Sequence, residues 1–254
     1  MYFLVIIQAR CGSSRLPGKV LKDIYGKTAL ERMLDRVKKS HYTDEIIIAT
    51  TLNKEDIEIV KLASSLGFRV FSGSSDDVLD RYYQAARLII PQNVIRLTSD
   101  CPFFDYEILD DAIKIFKAED CDYLGMISET FPDGLDLEII KYEALENSWK
   151  KANLFSEREH VTLYIKNHPE LFDIFDYKCN YGNLKHMRWT LDEYEDLLFI
   201  KAVYKYFLDI GKEYFSMNEI IDYLNINPEI VELNNKFIRN EGLLKSLKND
   251  KKIS

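Results

Sequence analysis

The sequence has few of the features that mark several large classes of protein. Its four cysteines (Cys11, Cys101, Cys121 and Cys179) are scattered without a C-x-x-C pair, so neither zinc nor a redox motif is indicated and reduced thiols are expected. No apolar run approaches transmembrane length, and the apolar opening Tyr2–Ile7 is too short for a signal-peptide core. We therefore expect a cytoplasmic protein with no membrane partner.

Linkers and repeats are missing as well. The 254 residues, 46% hydrophobic and 30% charged, have the composition of a folded chain long enough for one large α/β domain. The chain contains no low-complexity tract and no stretch rich in proline, glycine and serine. We predict one domain over residues 1–245 and a polar tail over residues 246–254, which is expected to be frayed.

Positive charge is in deficit, because the formal net charge is −8. The overall field of the protein therefore repels nucleic acid and anionic membranes, and no nucleic-acid partner is expected. A small phosphate ligand stays open, since three basic residues cluster between residues 10 and 19.

What is present is a regular alternation of strands and helices in the first half. The predicted strands are Tyr2–Ile7, Glu45–Thr50, Phe68–Phe71 and Val94–Leu97, and the predicted helices carry Leu30–Val37, run from the N-cap Asn53 to Gly67, and cover Asp76–Ile89. Such units predict a mostly parallel sheet, in which ligands bind beyond the carboxyl ends of the strands. The polar segments Arg10–Lys19, Thr50–Asn53 and Ser99–Pro102 should therefore converge on one rim.

The second half is less regular. Helices are predicted over Tyr106–Ala118, Tyr142–Lys151, Glu157–Lys166 and Glu193–Ile210, and extended segments over Asp122–Ile127, Leu135–Ile140 and Phe172–Lys178.

The loop after the first strand carries most of the functional information. Residues 8–19 read Q-A-R-C-G-S-S-R-L-P-G-K and supply two glycines, two hydroxyls and three cations. Backbone N–H groups of such a loop can converge on an anion, while arginine and lysine side chains match phosphate oxygens. The loop suits a triphosphate, and a solvated surface turn is the plainer alternative.

Two common phosphate motifs are absent. A P-loop has four residues between its glycines and a Ser or Thr after its lysine, whereas five residues separate Gly12 from Gly18 and Val20 follows Lys19. The dinucleotide spacing G-x-G-x-x-G is also missing. The sequence therefore lacks the main feature that would indicate an ATPase or a dehydrogenase.

The loop R-x-G-S-S-R-L-P-G-K resembles that of the cytidylyltransferases that activate acidic sugars, such as CMP-Kdo and CMP-sialic acid synthetases, and most closely their SpsF-like branch. Further blocks match this branch in order, as far as about Asn234: I-I-I-A-T-T at Ile46–Thr51, D-D-V-L-D-R-Y-Y at Asp76–Tyr83, S-D-C-P at Ser99–Pro102, F-P-D-G-L-D at Phe131–Asp136, S-E-R-E-H-V-T at Ser156–Thr162, and R-W-T-L-D at Arg188–Asp192.

The resemblance implies the nucleotide-diphospho-sugar transferase fold, a mixed and mainly parallel α/β sheet flanked by helices, and a requirement for Mg²⁺. By the same resemblance the nucleotide would be bound by Ala9, Arg10, Gly12, Ser13, Ser14, Arg15, Lys19, Thr50, Arg81 and Thr98. The acceptor would be bound by Asp133, Gly134, Asp136, Glu157, Arg158, His160 and Arg188. Asp100 and Asp192 would hold the metal, and Arg15, Lys19 and Asp100 would be the catalytic residues.

Several of these residues have plainer interpretations. Asp100 could cap a turn, and Asp192 could be the N-cap of the following helix with Glu195 as its capping-box partner. Arg188 could be an ordinary ion-pair partner, and Arg81 lies on an amphipathic helix whose polar face is solvated by default.

The function predicted from the sequence is transfer of CMP from CTP to a sugar acid or sugar phosphate, with release of pyrophosphate, for cell-surface polysaccharide or glycoconjugate synthesis. The fourth strand ends in L-T-S-D where many relatives have Gln-x-Asp, so a guanylyl- or other nucleotidyltransferase stays open. A glycosyltransferase of similar fold is weaker, because its D-x-D motif is absent at Ser99–Cys101, and a non-catalytic nucleotide-binding regulator is weaker still. The acceptor is not identified, and a homodimer is an expectation of the resemblance.

Overall fold

The computed structural model describes residues 1–237, 239, 241–248 and 250–252. Within them a central seven-stranded sheet has the order β5-β4-β1-β6-β8-β7-β9, and β2 and β3 form a separate small hairpin. The strands are β1 (Phe3–Gln8), β2 (Asp23–Ile24), β3 (Lys27–Thr28), β4 (Glu45–Thr51), β5 (Arg69–Gly73), β6 (Asn93–Thr98), β7 (Tyr123–Gly125), β8 (Glu138–Lys141) and β9 (Ile174–Asp176).

Helices cover both faces of the sheet. They are α1 (Ala29–Val37), α2 (Ile57–Ser65), α3 (Val78–Arg87), α4 (Tyr106–Glu119), α5 (Tyr142–Lys151), α6 (Phe155–Glu159), α7 (Leu163–Asn167), α8 (Tyr194–Asp209), α9 (Met217–Ile226), α10 (Pro228–Val231) and α11 (Glu241–Lys248), with 3₁₀ turns at Lys19–Leu21 and Lys54–Asp56. None of the helices in the described ranges combines the length and apolar character that crossing a membrane requires.

The predicted fold class is confirmed. Strands β5, β4, β1 and β6 are parallel, β8 lies antiparallel between β6 and β7, and β9 pairs parallel with β7. Strand β1 explains why its sequence is a continuous apolar run: Phe3, Val5 and Ile7 pack into the core on one face, while Leu4 and Ile6 pack into the core on the other. The sheet therefore presents its carboxyl-terminal rim as the exposed edge on which polar loops meet.

One predicted helix, Glu157–Lys166, is wrong as a single element. Helix α6 ends at Glu159 and α7 begins at Leu163, and the buried Val161 between them has a φ of 53°. A β-branched residue is strained in this left-handed region, so the break is imposed by tertiary contacts. One such contact is the Thr162 hydroxyl, which donates to the Glu138 carboxylate at 2.7 Å.

Other differences lie at element ends. The Asn53 side chain makes no capping bond, and the 3₁₀ turn Lys54–Asp56 precedes α2. Helix α9 was not predicted, although Ser216 and Glu219 form the capping box that marks its start.

The C-terminal tail is more ordered than a frayed segment. Residues 246–248 form the end of α11, and the Ser156 hydroxyl donates to Asp250 at 2.7 Å. The last predicted tail residues, 253 and 254, lie outside the described residues.

An aromatic cluster anchors the loop that follows β6. Phe103 is fully buried, stacks on Tyr204 at a centroid distance of 5.3 Å, and meets Trp189, Phe199 and Phe215 edge-on. Tyr204 also donates to the Pro102 carbonyl at 2.7 Å. The rim loop therefore packs on the α8–α9 half of the chain.

Truncation of this anchor is expected to destabilise the protein. Phe103→Ala should lower the free energy of unfolding by about 3–5 kcal/mol, because a buried ring is lost and a cavity remains. Chemical denaturation of the variant beside Leu52→Ala, whose side chain is 78% exposed, measures the difference. Equal stability of the two variants would contradict the anchoring role.

Candidate functional site

The loop after β1 folds back on itself at the rim. The Cys11 carbonyl accepts from the N–H groups of Ser13 at 2.8 Å and Gly18 at 3.0 Å, and the Cys11 N–H donates to Asp56 at 2.6 Å. Gly18, at a φ of 64°, turns the chain into the 3₁₀ turn that starts with Lys19. The loop is thereby fixed to the 3₁₀ turn Lys54–Asp56 that follows β4, and it aims the Lys19 side chain across the rim.

The Lys19 ammonium joins two carboxylates from distant parts of the chain. It donates to Asp100 Oδ2 at 2.7 Å and to Asp192 Oδ1 at 2.6 Å. Asp100 follows β6, and Asp192 precedes α8. The predicted convergence of the first loop with the loop after β6 is therefore present, and the two aspartates predicted to hold a metal lie on one common cation.

The charges in this cluster set the protonation states of Lys19 and Asp100. Burial by itself would raise the pKa of Asp100, but the Lys19 ammonium outweighs burial and lowers that pKa to about 2. Burial would likewise lower the pKa of Lys19, yet the charges of Asp100 and Asp192 raise it well above its usual range. Lys19 and Asp100 are both ionised at neutral pH.

Arg15 extends this network to the C-terminal helix. Its guanidinium lies 3.0 Å from Asp192, 3.2 Å from Glu193 and 3.2 Å from Glu241, the first residue of α11. Helix α11 is also tied to α6, because the Ser246 hydroxyl donates to Glu159 at 2.5 Å. The predicted phosphate loop is thus covered on one side by α11.

Two adjoining cavities open at the rim. The loop cavity, about 430 Å³, is bounded by residues 8–15, by Lys19 and by the start of α3. The second cavity, about 450 Å³, is bounded by residues 126–138 and by residues 160–166. Seven side chains line both cavities and so mark their junction: Arg15, Arg96, Thr98, Asp100, His160, Asp192 and Glu241.

Most of the predicted nucleotide-binding residues come together in the loop cavity. Those that line it are Ala9, Arg10, Gly12, Ser13, Ser14, Arg15, Lys19, Arg81 and Thr98. Arg81 is largely buried and donates to the Ser74 carbonyl at 2.5 Å, which places it under the cavity rather than on a solvated helix face. Thr50 is an exception, since it is fully buried and does not line either cavity.

The predicted acceptor residues divide into two groups. Asp133, Gly134, Asp136 and His160 line the second cavity. Glu157 and Arg158 line neither cavity. The Glu157 carboxylate accepts from the backbone N–H groups just before α6. Arg158 forms an ion pair with Asp77, in which Nε lies 2.9 Å from the carboxylate. Both side chains are thus engaged within the protein, and their contact with an acceptor stays a prediction.

Arg188 supports the site from below. Its guanidinium forms a two-point ion pair with the fully buried Asp196, at 2.9 Å and 2.8 Å, and contacts Asp133 at 3.3 Å. Arg188 is not among the residues that line the second cavity. The ion-pair interpretation of Arg188 is therefore the one that the structure supports, with the pair lying directly behind Asp133.

The capping interpretation of Asp192 is wrong. Glu193 is the N-cap of α8, and its partner is Asp196, whose Oδ2 accepts from the N–H groups of Asp192 at 2.9 Å and Glu193 at 2.8 Å. Glu195 instead forms an ion pair with Lys236 at 2.6 Å. Because Asp196 does the capping, the Asp192 side chain is turned to Lys19 and Arg15.

One charged group at the second cavity was missed by the sequence reasoning. Glu138 accepts from Lys166 at 2.7 Å, from Thr162 at 2.7 Å, from Tyr123 at 2.5 Å, and from Arg96. The signal was available, because Arg96 and Glu138 are charged residues inside apolar strand sequences and such charges are paired when buried.

The donor chemistry of the rim fits a magnesium ion. Among the described residues no group of three or more His, Cys, Asp or Glu side chains could hold a metal ion, and the rim offers two carboxylates, Asp100 and Asp192, gathered on one ammonium. Magnesium is commonly held by one or two carboxylates together with substrate phosphates rather than by a full protein cage. The pair therefore suits a metal that arrives with a phosphate ligand.

Comparisons with a family model, with individual proteins and with solved structures give consistent results. The family model described as cytidylyltransferase matches residues 4–249. The spore coat polysaccharide biosynthesis protein SpsF of Bacillus subtilis is 36% identical over 239 residues, which are 89% of this chain and 95% of that protein.

Solved structures agree. A cytidylyltransferase from Leptospira borgpetersenii superposes with a TM-score of 0.87 at 33% identity, covering 94% of this chain and all of that one. A CMP:2-keto-3-deoxy-manno-octonic acid synthetase complexed with CTP superposes with a TM-score of 0.62 at 15% identity, covering 81% of this chain and 99% of that one. At that identity the second structure bears on the fold alone.

Gly134 is expected to be required for the shape of the second cavity. Its φ is 103°, and a Cβ there would lie 2.6 Å from the backbone of Trp189 and Thr190. Gly134→Ala should cost about 2–4 kcal/mol of unfolding free energy, from strain and a backbone clash. Gly182→Ala is the matched control, because Gly182 has a φ of 95° with nothing within 4 Å of its Cβ position. Equal losses in denaturant melts of the two variants would show that the clash is immaterial.

Asp133 is expected to make stability depend on pH. Burial and the charge of Asp136 raise its pKa from 3.8 to about 7, against the opposing charges of Arg239 and Arg188. The folded state then binds more protons than the unfolded state between these two values, so stability falls as pH rises through that window, by at most roughly 4 kcal/mol.

The variant Asp133→Asn should remove most of this slope. Urea melts from pH 4 to pH 7.5 test it, with Asp209→Asn as control because Asp209 is 62% exposed on α8. A variant that keeps the wild-type slope would assign the pH dependence to another group.

Proposed function

Because the chain belongs to the cytidylyltransferase family, we propose that it transfers CMP from CTP to a sugar acid or sugar phosphate, with release of pyrophosphate, for polysaccharide or glycoconjugate synthesis. The observation that carries the proposal is the Lys19 ammonium placed between Asp100 and Asp192 at the junction of two cavities. One cavity then takes the nucleotide and the other takes the acceptor.

The triphosphate binds in the loop cavity. Arg10, Arg15 and Lys19 supply the cations, and the loop between Gly12 and Ser14 supplies backbone N–H groups. In the structure Arg15 is shared among Asp192, Glu193 and Glu241, so triphosphate oxygens replace carboxylates as its partners.

Transfer needs positioning and charge neutralisation rather than an enzyme nucleophile. An acceptor oxygen attacks the α-phosphorus from the second cavity, the new P–O bond forms, and the bond to pyrophosphate breaks with the electron pair leaving on its oxygen. Lys19 and Arg15 offset the charge that develops there. A magnesium ion held by Asp100 and Asp192 would neutralise phosphate charge when bound.

The acceptor proton needs a destination only when the acceptor is a hydroxyl. A phosphate acceptor is already largely ionised near neutral pH. For a hydroxyl, Asp133 lines the second cavity and has a pKa raised to about 7, chiefly by burial, which suits a carboxylate that takes up a proton. We assign this role to Asp133.

Compartment and assembly follow the same reasoning. All four cysteine thiols are free, which fits a reducing cytoplasmic compartment. A homodimer remains a prediction that the family suggests.

The proposal predicts pyrophosphate release that depends on nucleotide, acceptor and Lys19. With Mg²⁺ present and a panel of sugar acids and sugar phosphates, CTP should give more pyrophosphate than ATP, GTP or UTP. Lys19→Met should lower kcat/KM by about 10²-fold or more, because a charge that stabilises the transition state is lost.

Lys54→Met is the matched control, since Lys54 is an exposed lysine on the neighbouring rim turn that lines neither cavity. Thermal melts of both variants verify that they are folded. Equal activity of the two lysine variants, or release of pyrophosphate by GTP alone, would overturn the assignment of the loop or of the base.

A further inference from the structure

The second cavity has one wall on which cations outnumber carboxylates. We propose that Arg96 and Lys166, held in place by Glu138, bind the anionic group of the acceptor. This proposal rests on the proposed function, because it identifies what the second cavity recognises. Arg96 and Lys166 lie outside every residue block that carries the family resemblance, so the assignment comes from the geometry.

The wall is built around a buried carboxylate. Glu138 is 7% exposed and accepts hydrogen bonds from Lys166, Thr162 and Tyr123 as well as from Arg96. Burial alone would raise the pKa of Glu138, but the charges of Lys166 and Arg96 outweigh burial and hold that pKa far below its usual range. Glu138 is therefore a fixed negative charge that orients two cations.

The ratio of cations to carboxylates distinguishes this wall from the rest of the site. At the rim, Lys19 and Arg15 face Asp100, Asp192, Glu193 and Glu241. Around and behind Asp133, Arg188 and Arg239 pair with Asp133, Asp136 and Asp196. Carboxylates outnumber cations at the rim, and in this second cluster they at least balance the cations, because burial raises the pKa of Asp133 to about 7. In the third cluster two cations, Arg96 and Lys166, share Glu138, so one positive charge is left over.

The other titratable groups beside this wall leave that excess in place. His160 lies between the wall and Glu159, whose carboxylate is 3.6 Å from the imidazole and also accepts from Ser246. Burial first, and then the charges of Arg96 and Lys166, lower the pKa of His160 against the pull of Glu159. A neutral imidazole adds no charge, and it can contribute a hydrogen bond to a bound anion.

Donor groups on the wall are also left over. The Lys166 ammonium has three N–H donors, of which Glu138 takes one at 2.7 Å. Arg96 contacts Glu138 through Nη1, and its Nη2 has a long 3.5 Å contact with Gln8. Both side chains line the second cavity, so an anion there could be bound without breaking the pairs with Glu138.

The position of the wall indicates where on the acceptor the anion lies. Arg96 lines both cavities beside Thr98 and Asp100, whereas Lys166 lines the second cavity alone. An anionic group on the wall would therefore lie at the junction of the two cavities. In a 2-keto sugar acid that group is the carboxylate beside the attacking hydroxyl, and in a sugar phosphate it is the attacking phosphate itself. The acidic residues Asp133 and Asp136, which also line the second cavity, are left for hydroxyl groups.

The strained backbone at Val161 belongs to the same construction. A continuous helix would follow the predicted span Glu157–Lys166, but the break at Val161 instead lets Thr162 and Lys166 both reach Glu138. Strain of this kind is retained where the surrounding structure requires one arrangement. Here the required arrangement is the one that places Thr162 and Lys166 against Glu138.

The test replaces Lys166 and measures each substrate separately. Lys166→Met should raise the KM for an anionic acceptor by about tenfold or more, as expected for loss of a charge-assisted hydrogen bond. The KM for CTP should stay within twofold. Lys166→Arg should restore most of the acceptor KM. Lys178→Met is the control, because Lys178 is 63% exposed on an ion pair with Asp176 and lines neither cavity.

The two acceptor classes are tested in separate arms. One arm compares 3-deoxy-manno-octulosonate with its methyl ester, which keeps the attacking hydroxyl and loses the charge. The other arm compares sugar 1-phosphates in the wild type and in Lys166→Met. The acid should release pyrophosphate and its methyl ester should not, and the variant should show the raised KM for any sugar 1-phosphate that is turned over. Turnover of a neutral acceptor, or an unchanged acceptor KM in Lys166→Met, would overturn the wall while leaving the proposed function intact.

Binding of an anion to the wall can also be measured without turnover. Inorganic phosphate is titrated into the wild type, Lys166→Met and Lys178→Met, and the rise in Tm is recorded. The Lys166→Met variant should lose part of the rise that the other two proteins show. An equal rise in all three proteins would overturn the wall, and failure of every nucleotide and acceptor to release pyrophosphate would overturn the proposed function separately.

Discussion

The contact on which the site depends is the ammonium of Lys19 held between two aspartates. Asp100 and Asp192 come from opposite halves of the chain, and each lies within 2.7 Å of the same nitrogen. Two carboxylates brought this close without a cation would repel each other strongly in a partly buried setting. Lys19 therefore joins the loop after β1, the end of β6 and the start of α8 into one rim, and the proposed divalent cation or triphosphate would have to displace these ion pairs to bind.

The rim could be predicted from the sequence because it follows from the direction of the strands. Parallel strands β1, β4 and β6 end on the same side, so the loops that contain Lys19 and Asp100 had to meet. Asp192 was predicted as a metal ligand only through the family resemblance. The sequence alone does not decide whether its side chain caps α8 or points to Lys19. Asp196, the third residue of α8, caps the start of that helix, which leaves the Asp192 side chain to face Lys19.

The second cavity could be predicted only in part. A block of sequence such as Ser156–Thr162 mixes residues of different roles, and residue type does not separate them. Arg158 is used to hold Asp77 at the N-terminus of α3, while His160, two residues later, lines the cavity. The separation arises at Val161, whose φ of 53° redirects the chain, and no local preference of valine would indicate such a turn. Only the packing of β8 against these residues imposes it.

The distribution of charge makes the proposed binding of a polyanion compatible with a net charge of −8. What an anionic ligand meets is the local field, which decays within about 10 Å at ordinary ionic strength. Carboxylates here are used to hold cations: Glu138 fixes Arg96 and Lys166, and Asp196 fixes Arg188 behind Asp133. Because each cation is positioned before any ligand arrives, little side-chain entropy remains to be lost on binding. Some of the acidic residues that make the protein anionic overall thus hold cations in fixed positions at the edges of the two cavities.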